Sequence, residues 1–207
     1  NASSSDYYGC SVAIYNDTIA VGAYGENGNR GAVYIYTRSG GTWTEYGTII
    51  RSNDIAISDL FGISVTINNN EMVFCGASGI DAVYTFEKIG SDWTQIQKIE
   101  PSQSANSYGV SVACSGNRLV VGASSTGSIG NAYVYIYHSG TWNEEKLLDA
   151  NTGSLDGHVG IKNNIITVSS KNKNSNTGSV YVYVYKNKQW VEYQELTASD
   201  ATSDTWF

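Results

Sequence analysis

The sequence contains few of the residues on which nucleic-acid binding or membrane insertion depends. Only 15% of its 207 residues are charged, there is one proline and one methionine, and no apolar run approaches the length of a membrane helix. The formal net charge of -7 argues against nucleic acid as a partner, because phosphates require clustered Lys and Arg. We therefore expect a soluble chain with no membrane insertion and no nucleic-acid binding.

Residues that build catalytic and metal sites are scarce as well. The two histidines, His138 and His158, have no motif partners, and the chain has neither a nucleophile motif nor paired cysteines at short spacing. Glycine clusters lie at turn positions, where a positive φ explains them without phosphate binding. The sequence therefore predicts no catalytic residue, no metal site, no cofactor and no enzymatic activity.

What the sequence does contain is repetition. Four tryptophans, Trp43, Trp93, Trp142 and Trp190, fall 50, 49 and 48 residues apart. Self-similarity at such a period is typical of solenoids, propellers and arrays. A strand pattern precedes each tryptophan, with aromatics alternating with β-branched residues as in Tyr34-Ile35-Tyr36. Turn formers such as Ser39-Gly40-Gly41 then intervene, so each tryptophan opens the return strand of a hairpin.

Each return strand carries a second regular position. A hydrophobic residue follows the tryptophan six positions later, at Ile49, Ile99, Leu148 and Leu196. Because side chains alternate between the two faces of a strand, an even separation predicts that both side chains point to one face.

Another pattern precedes the aromatic strand in every repeat. It consists of an aromatic-glycine motif, an alternating apolar strand, a polar turn and an apolar strand that ends in Gly-Ala. The paired motifs are Tyr8-Gly9 with Gly22-Ala23, Phe61-Gly62 with Gly76-Ala77, and Tyr108-Gly109 with Gly122-Ala123; the fourth repeat has Asp156-Gly157 and Ser169-Ser170. Each repeat therefore predicts four short strands in meander order.

These motifs resemble FG-GAP repeats, the unit of integrin-alpha-like β-propellers. The resemblance implies an all-β fold, a β-propeller built of four-stranded antiparallel blades, with four repeats of about 50 residues visible. The calcium loops of integrin-type repeats are absent, because the connection between the first two strands offers only Asp17 in the first repeat and Glu71 in the second. We infer no calcium site of that type.

We treat residues 1–207 as a single β-propeller region with repeats at about 5–53, 54–102, 103–150 and 151–199. Residues 200–207 resemble the start of a further repeat, since Asp204-Thr205-Trp206-Phe207 parallels the segment that begins at Asp6. We therefore expect a fragment of a larger propeller of about seven blades. The alternatives are a four-bladed ring with the tail outside it, or a tail that contacts a neighbouring molecule.

The cysteines and several acidic residues have structural interpretations. Cys10, Cys75 and Cys114 align with core hydrophobes of other repeats, which favours packing over a disulfide. Asp54 and Asp59 precede an aromatic-glycine motif, where carboxylates accept hydrogen bonds from backbone amides and fix turns. The alternative for these acids is a cation or ligand role.

The best candidates for binding lie on the loops that follow the Gly-Ala strands. These loops vary in length and content while the strands repeat, and recognition usually resides on such loops; neutral surface connectors are the alternative. The candidate ligand-binding residues are Tyr24, Glu26, Asn27, Arg30, Lys171 and Lys173. Two sequons make Asn1 and Asn16 candidate glycosylation sites.

The resemblance, the sequons and a surface rich in Ser, Thr, Asn and Tyr predict a non-enzymatic extracellular or cell-surface module. Such a module would serve adhesion or structure, with a protein or glycan partner, copies of itself or other subunits of a surface assembly. The alternative is an enzyme or small-ligand binder that uses the central channel of the propeller. That alternative requires polar or titratable residues from several blades to converge at the channel.

Overall fold

The computed structural model describes residues 5–69, 71–124, 131–149, 157–170 and 178–199. Within these ranges sixteen strands form four antiparallel sheets, and each sheet holds four strands in chain order. The strands are β1 Ser11–Tyr15, β2 Thr18–Ala23, β3 Ala32–Ser39, β4 Thr42–Ile50, β5 Phe61–Ile67, β6 Val73–Ala77, β7 Ala82–Ile89, β8 Asp92–Ile99, β9 Tyr108–Ser115, β10 Arg118–Ala123, β11 Asn131–His138, β12 Thr141–Asp149, β13 Val159–Lys162, β14 Ile165–Ser170, β15 Ser179–Lys186 and β16 Gln189–Leu196. A short helical turn, α1, spans Glu26–Asn29.

The four sheets are propeller blades, which we number 1 to 4 along the chain. The first strand of each blade is its inner strand, and the inner strands β1, β5, β9 and β13 contact one another in that order. The blades therefore follow one another in an arc. Among the described residues no comparable contact joins β13 back to β1. The predicted all-β fold of four-stranded antiparallel blades is confirmed.

The connections between strands gather at the two ends of the blades. We call one end the loop face; it carries residues 24–31, 51–60, 78–81 and 100–107. The other end, the hairpin face, carries the tight turns within each blade, such as Gly40-Gly41 and Ser139-Gly140. Positive φ values at these turn residues (57° and 85° at the first pair) explain their composition.

The hydrophobic core is divided among the three junctions between successive blades. Each blade presents a leading face to the preceding blade and a trailing face to the following one. The core residues include Ile35, Phe61 and Tyr84 between blades 1 and 2, Phe74, Tyr108 and Trp142 between blades 2 and 3, and Val134, Tyr181 and Trp190 between blades 3 and 4. Stability therefore depends on stacking blade upon blade, since one blade cannot bury its own faces.

A β-bulge in the outer hairpin of each blade changes which face a side chain occupies. Between β11 and β12 the register shifts after Val134, and equivalent shifts occur in the other three blades. One extra residue reverses the alternation of all residues beyond it. Trp142 therefore packs towards blade 2, whereas Leu148 packs towards blade 4. The prediction that both side chains share one face is wrong.

The structure corrects two residue assignments, the first of them because of the bulge in blade 1. In blade 1 the core residue of β4 is Ile50, 3% exposed, rather than Ile49, which is 37% exposed. Cys75 is buried and Cys114 is partly buried, as core packing predicts. Cys10 is exposed, contrary to that prediction, because its position is only half-buried even where Ile63 and Val110 occupy it.

Candidate functional site

The inner strands do not bring titratable side chains together. Along β1, β5, β9 and β13 the titratable residues are Tyr15, Tyr108, Cys114 and Lys162. The Tyr108 hydroxyl donates to the Tyr135 hydroxyl (2.8 Å) inside the core, and the Cys114 Sγ lies 3.3 Å from the Thr66 Oγ1. Burial raises the pKa of Cys114 to about 11. These side chains belong to blade packing, and the described ranges contain no group of three His, Cys, Asp or Glu able to hold a metal ion.

Polar chemistry gathers instead on the loop face, above the junction of blades 1 and 2. The loop after β2 carries Tyr24, Glu26, Asn27 and Arg30, four of the residues that the sequence singles out. Tyr24 stacks on Tyr7 with ring centroids 4.8 Å apart. Asn27 is exposed. Lys171 and Lys173 lie outside the described residues, so their place in a site stays a prediction.

Glu26 is the centre of a partly buried ion pair. Its Oε1 accepts from Arg51 Nη2 at 2.7 Å, and its Oε2 accepts from the Tyr34 hydroxyl at 2.7 Å. Burial and the hydrogen bond to Glu26 raise the pKa of Tyr34 to about 12. Since the Glu26 side chain is only 15% exposed, it fixes the loop rather than presenting a free carboxylate.

The loop after β2 is also tied to the segment that enters blade 2. Arg30 Nε donates to the Ile55 carbonyl at 2.6 Å, and the amide of Leu60 donates to the Asn29 carbonyl at 2.9 Å. Residues 24–31 and 51–60 therefore form one layer over this junction, which gives the layer a fixed shape.

A second carboxylate in this layer remains open to solvent. We define the Asp54 cluster as Ser52, Asp54, Tyr84, Lys98 and Glu100. Ser52 donates to one carboxylate oxygen of Asp54, and the other oxygen accepts from the Tyr84 hydroxyl at 3.0 Å and lies 3.3 Å from Lys98 Nζ. Lys98 also pairs with Glu100 at 3.1 Å. Despite three donors, the Asp54 side chain is 49% exposed.

Three members of the Asp54 cluster, Asp54, Tyr84 and Lys98, keep their ordinary charge states at neutral pH. Burial opposes ionisation of Asp54, but hydrogen bonds from Ser52, Tyr84 and Lys98 outweigh it and lower the pKa of the carboxyl. Burial and the hydrogen bond to Asp54 raise the pKa of Tyr84 to about 12. Burial works against the charge of Lys98, yet Glu100, Tyr84 and Asp54 raise its pKa overall. The cluster is therefore a carboxylate, a neutral phenol and an ammonium group.

The two acids before blade 2 have different roles. Asp59 accepts from the amide of Ala56 at 2.6 Å, as expected of a turn-fixing carboxylate. Asp54 contacts side chains instead of backbone amides, which departs from the turn interpretation. The sequence carries no signal that Tyr84 and Lys98 are its partners, because a tyrosine stands at the position of Tyr84 in all four repeats, as expected of a scaffold residue. The only available signal was the recurrence of Asp54 and Asp59 before a motif.

A second polar group lies on the hairpin face between blades 3 and 4. Arg118 binds both carboxylate oxygens of Glu145 (2.9 and 3.1 Å), and the Trp190 Nε1 donates to Glu145 at 2.9 Å. The Arg118 guanidinium lies 4.1 Å from the centroid of the Tyr185 ring. A cavity of about 260 Å³ lies beside them, lined also by Lys146, Lys188 and Gln189. The charged groups of Arg118 and Glu145 satisfy each other. Because both residues lie in blade 3 and contact Tyr185 and Trp190 of blade 4, the network joins the two blades.

The comparisons with known proteins agree with this architecture. The FG-GAP repeat model matches residues 1–36 and 93–135, which contain the aromatic-glycine and Gly-Ala motifs of blades 1 and 3. Two segments of this chain thus match the FG-GAP repeat, with their motifs in blades 1 and 3. A search of curated proteins gives no match. The FG-GAP resemblance identified from the motifs is therefore confirmed, and the repeats build the blades.

A solved structure shares the fold of these blades. It is that of a 6-phosphogluconolactonase-like protein from Bacteroides uniformis, with a TM-score of 0.63 and 10% identity. The likeness covers 90% of this chain and 56% of the other, so this chain spans about half the length of that protein. At this identity the likeness shows the fold alone.

The same likeness corrects the functional prediction. Our main interpretation, a non-enzymatic adhesion or structural module, is contradicted because the fold belongs to a chain named for an enzyme. The alternative interpretation, a small-ligand binder or enzyme, is better supported.

Asn16 lies in an exposed turn with φ of 49°, while Asn1 lies outside the described residues. Glycosylation and an extracellular or cell-surface location stay predictions. No helix in the described part of the chain is long and apolar enough to cross a bilayer.

Proposed function

We propose that this chain binds a small, polyhydroxylated ligand on its loop face, with the Asp54 cluster at the centre of the site. One observation carries the proposal: Asp54 is ionised and held by three donors, yet half of its side chain is open to solvent. Here the donors orient it while one side stays available to a ligand.

The chemistry of the cluster favours hydroxyl groups as ligand contacts. A hydroxyl can donate to the Asp54 carboxylate and accept from the Lys98 ammonium, which lie 3.3 Å apart. Glu100, 64% exposed, adds a second acceptor on the other side of Lys98. Sugar acids and their lactones are the first ligands to test, because the similar fold carries the name of a 6-phosphogluconolactonase.

Binding agrees with the ionisation of the cluster better than acid-base catalysis does. A general acid or base works best with a pKa near the working pH. In the Asp54 cluster the shifts run the other way, since the pKa of Asp54 is lowered, that of Lys98 is raised and that of Tyr84 is about 12. Lactone hydrolysis is the second candidate, and the shared fold is the observation that favours it.

Isothermal titration calorimetry with gluconate, glucono-1,5-lactone and 6-phosphogluconate tests the proposal. We expect saturable binding by the unmodified chain and a loss of about tenfold or more in affinity for Asp54→Asn. Asp17→Asn is the matched control, because Asp17 likewise pairs with a basic side chain, Arg38 at 2.8 Å, but lies on the hairpin face. Equal affinities for both variants, or no binding of any of the three compounds, would overturn the proposal.

A further inference from the structure

The three blade junctions repeat one steric arrangement. A Cβ built on Gly22, Gly76 or Gly122 would lie 2.0, 2.0 or 1.6 Å from a backbone carbonyl oxygen of the next blade. These oxygens belong to the glycines of the aromatic-glycine motifs, Gly62, Gly109 and Gly157. Such distances are far inside van der Waals contact. We call Gly22, Gly76 and Gly122 the joint glycines, because the next blade can approach only where a side chain is missing.

A serine accompanies the joint glycine. Ser11 Oγ donates to the Gly62 carbonyl at 2.9 Å, and Ser64 Oγ donates to the Gly109 carbonyl at 2.7 Å. In blade 1 this serine pairs directly with the joint glycine across the inner strands, Ser11 opposite Gly22. The trailing faces of blades 1 and 2 therefore offer a gap and a hydrogen-bond donor to the carbonyl that enters it. In blade 3 the equivalent Ser111 Oγ accepts from the amide of Val159 in blade 4 at 3.2 Å.

Blade 1 presents a leading face of the same construction, but that face is exposed. Val12 is 67% exposed, whereas Val65 and Val112 at the same position of blades 2 and 3 are 7% and 8% exposed. Tyr8 is 44% exposed, whereas the equivalent Tyr108 is fully buried. No described atom lies within 4 Å of the position that a Cβ on Gly9 would take.

The exposed leading face already has the internal geometry of a docked one. The Tyr8 hydroxyl donates to the Tyr36 hydroxyl at 2.7 Å, as Tyr108 does to Tyr135 at 2.8 Å. Gly9 has φ of 89°, close to the 87° of Gly109. Because the motif keeps its shape without a neighbouring blade, the face is preorganised for one.

The trailing face of blade 4 lacks the joint residues. Ser169 stands opposite Val180 as Gly22 stands opposite Val33, so a side chain fills the gap. His158 precedes β13 at the position that the joint serine takes in the other blades. The apolar part of the face is retained, with Val180, Val182 and Leu196 in place of Val33, Ile35 and Ile50. The trailing face of blade 4 therefore differs from that of blade 1 at the joint positions, while its apolar residues correspond.

We propose that the leading face of blade 1 is a docking surface for a further FG-GAP blade, one that carries glycine and serine at the two joint positions. The same kind of interface joins successive blades at three junctions of this chain. The occupant is therefore a blade whose trailing face has glycine and serine at the joint positions. A second copy of this chain does not qualify, because Ser169 occupies the space that the Gly9 carbonyl would enter.

A surrogate blade tests this proposal. In one chain His158→Ser and Ser169→Gly restore the joint on blade 4, and Val12→Lys blocks that chain's own leading face. Sedimentation velocity with the unmodified chain measures whether the two associate. We expect a 1:1 complex with a dissociation constant about tenfold or more below that of the chain carrying Val12→Lys alone.

The controls distinguish binding through the joint residues from nonspecific association. Binding to the surrogate should be lost when the second chain also carries Val12→Lys. Circular dichroism melts establish that every variant is folded, and Ser169→Gly alone serves as the surrogate if the multiple variant is not. The proposal is overturned if the chain that retains His158 and Ser169 binds as tightly as the surrogate. It is equally overturned if folded surrogates fail to associate at about 100 µM.

Discussion

At the scale of single residues, the Gly-Ala pair is explained by the neighbouring blade rather than by its own strand. The joint glycines do not adopt a left-handed φ; what they provide is space for a carbonyl oxygen about 2 Å from where a Cβ would be. The sequence shows the recurrence of these glycines but not the atom that requires it. That atom belongs to a residue 33 to 40 positions later in the chain, and only the packed blades bring the two together.

Gly76→Ala should therefore destabilise the protein sharply. The added Cβ meets the Gly109 backbone carbonyl, which cannot move without displacing β9, so we expect a loss of about 2 kcal/mol or more in the free energy of unfolding. Ser169→Gly is the matched control at the same position of blade 4, and strand entropy limits its cost to about 1 kcal/mol. Urea unfolding followed by circular dichroism measures both. Similar losses for the two variants would contradict the steric account.

Glu145→Gln should reveal a pH-dependent contribution from the junction of blades 3 and 4. Burial opposes the charge of Glu145, but hydrogen bonds from Arg118 and Trp190 lower its pKa. A folded-state pKa below the ordinary value means that the stabilisation is complete above about pH 4.3 and is lost as pH falls through the folded pKa. At pH 7 we expect the variant to lose about 1–3 kcal/mol.

The measurement is urea unfolding of both chains at pH 7, 5 and 3. The difference between them should shrink as pH falls below about 4.3, because the carboxyl of the unmodified chain then takes up a proton and loses its charged pair. A difference that stays constant from pH 7 to pH 3 would rule out the charged pair as its source.

The candidate site could be predicted from the sequence only in part. Tyr24, Glu26, Asn27 and Arg30 were selected from loop variability, and the structure places them on the loop face beside the Asp54 cluster. Their roles differ from the expectation, since Glu26 and Arg30 are used in contacts that fix the layer. Tyr84 and Lys98 escaped notice because a repeated tyrosine and a strand lysine resemble ordinary scaffold residues until the fold joins them to Asp54.

At the scale of strands, the β-bulge is the element that sequence periodicity could not reveal. Alternation predicts faces correctly along β1 to β3 but fails beyond the bulge of each outer strand, where one extra residue inverts it. In blade 3 the extra residue is Glu145, and the bulge directs its carboxylate towards Trp190 of blade 4. A register shift of this kind depends on hydrogen bonding to the partner strand, so it leaves no period in the sequence.

Equivalent valines on successive inner strands should respond differently to substitution. Val65→Lys buries an unpaired ammonium group between blades 1 and 2, and we expect it to cost about 3 kcal/mol or more or to prevent folding. Val12→Lys places the same group on an exposed face, where the cost should stay within about 0.5 kcal/mol. Thermal melts of the two chains provide the comparison. Equal destabilisation would mean that the blade 1 face is covered in solution.

At the scale of the whole molecule, the fold could be predicted because every blade repeats the same signals. Aromatic-glycine motifs, Gly-Ala strands and hairpin turns recur at a nearly fixed spacing, and each implies a strand or turn by local physics. The arc is a consequence of the junctions, which sequence does not display. The expectation of a fragment of about seven blades stays a prediction, as do the protein, glycan and surface-assembly partners.

Function, unlike the fold, could not be predicted from the repeat pattern. Composition and family resemblance suggested adhesion, and the fold shared with a 6-phosphogluconolactonase-like protein turned the interpretation towards small ligands. Fold alone does not define a function, so the proposal depends on the exposed, ionised carboxylate of Asp54 and on the donors that orient it.

Mapping the ligand contacts by NMR tests this central claim most directly. Backbone amide spectra of the ¹⁵N-labelled chain would be recorded during titration with gluconate and 6-phosphogluconate up to about 10 mM, a range that detects weak binding. We predict shifts concentrated in residues 24–31, 51–60 and around Lys98, and their loss in the Asp54→Asn chain. Shifts centred on Lys146 and Lys188 of the hairpin face, or no shifts at all, would contradict the account.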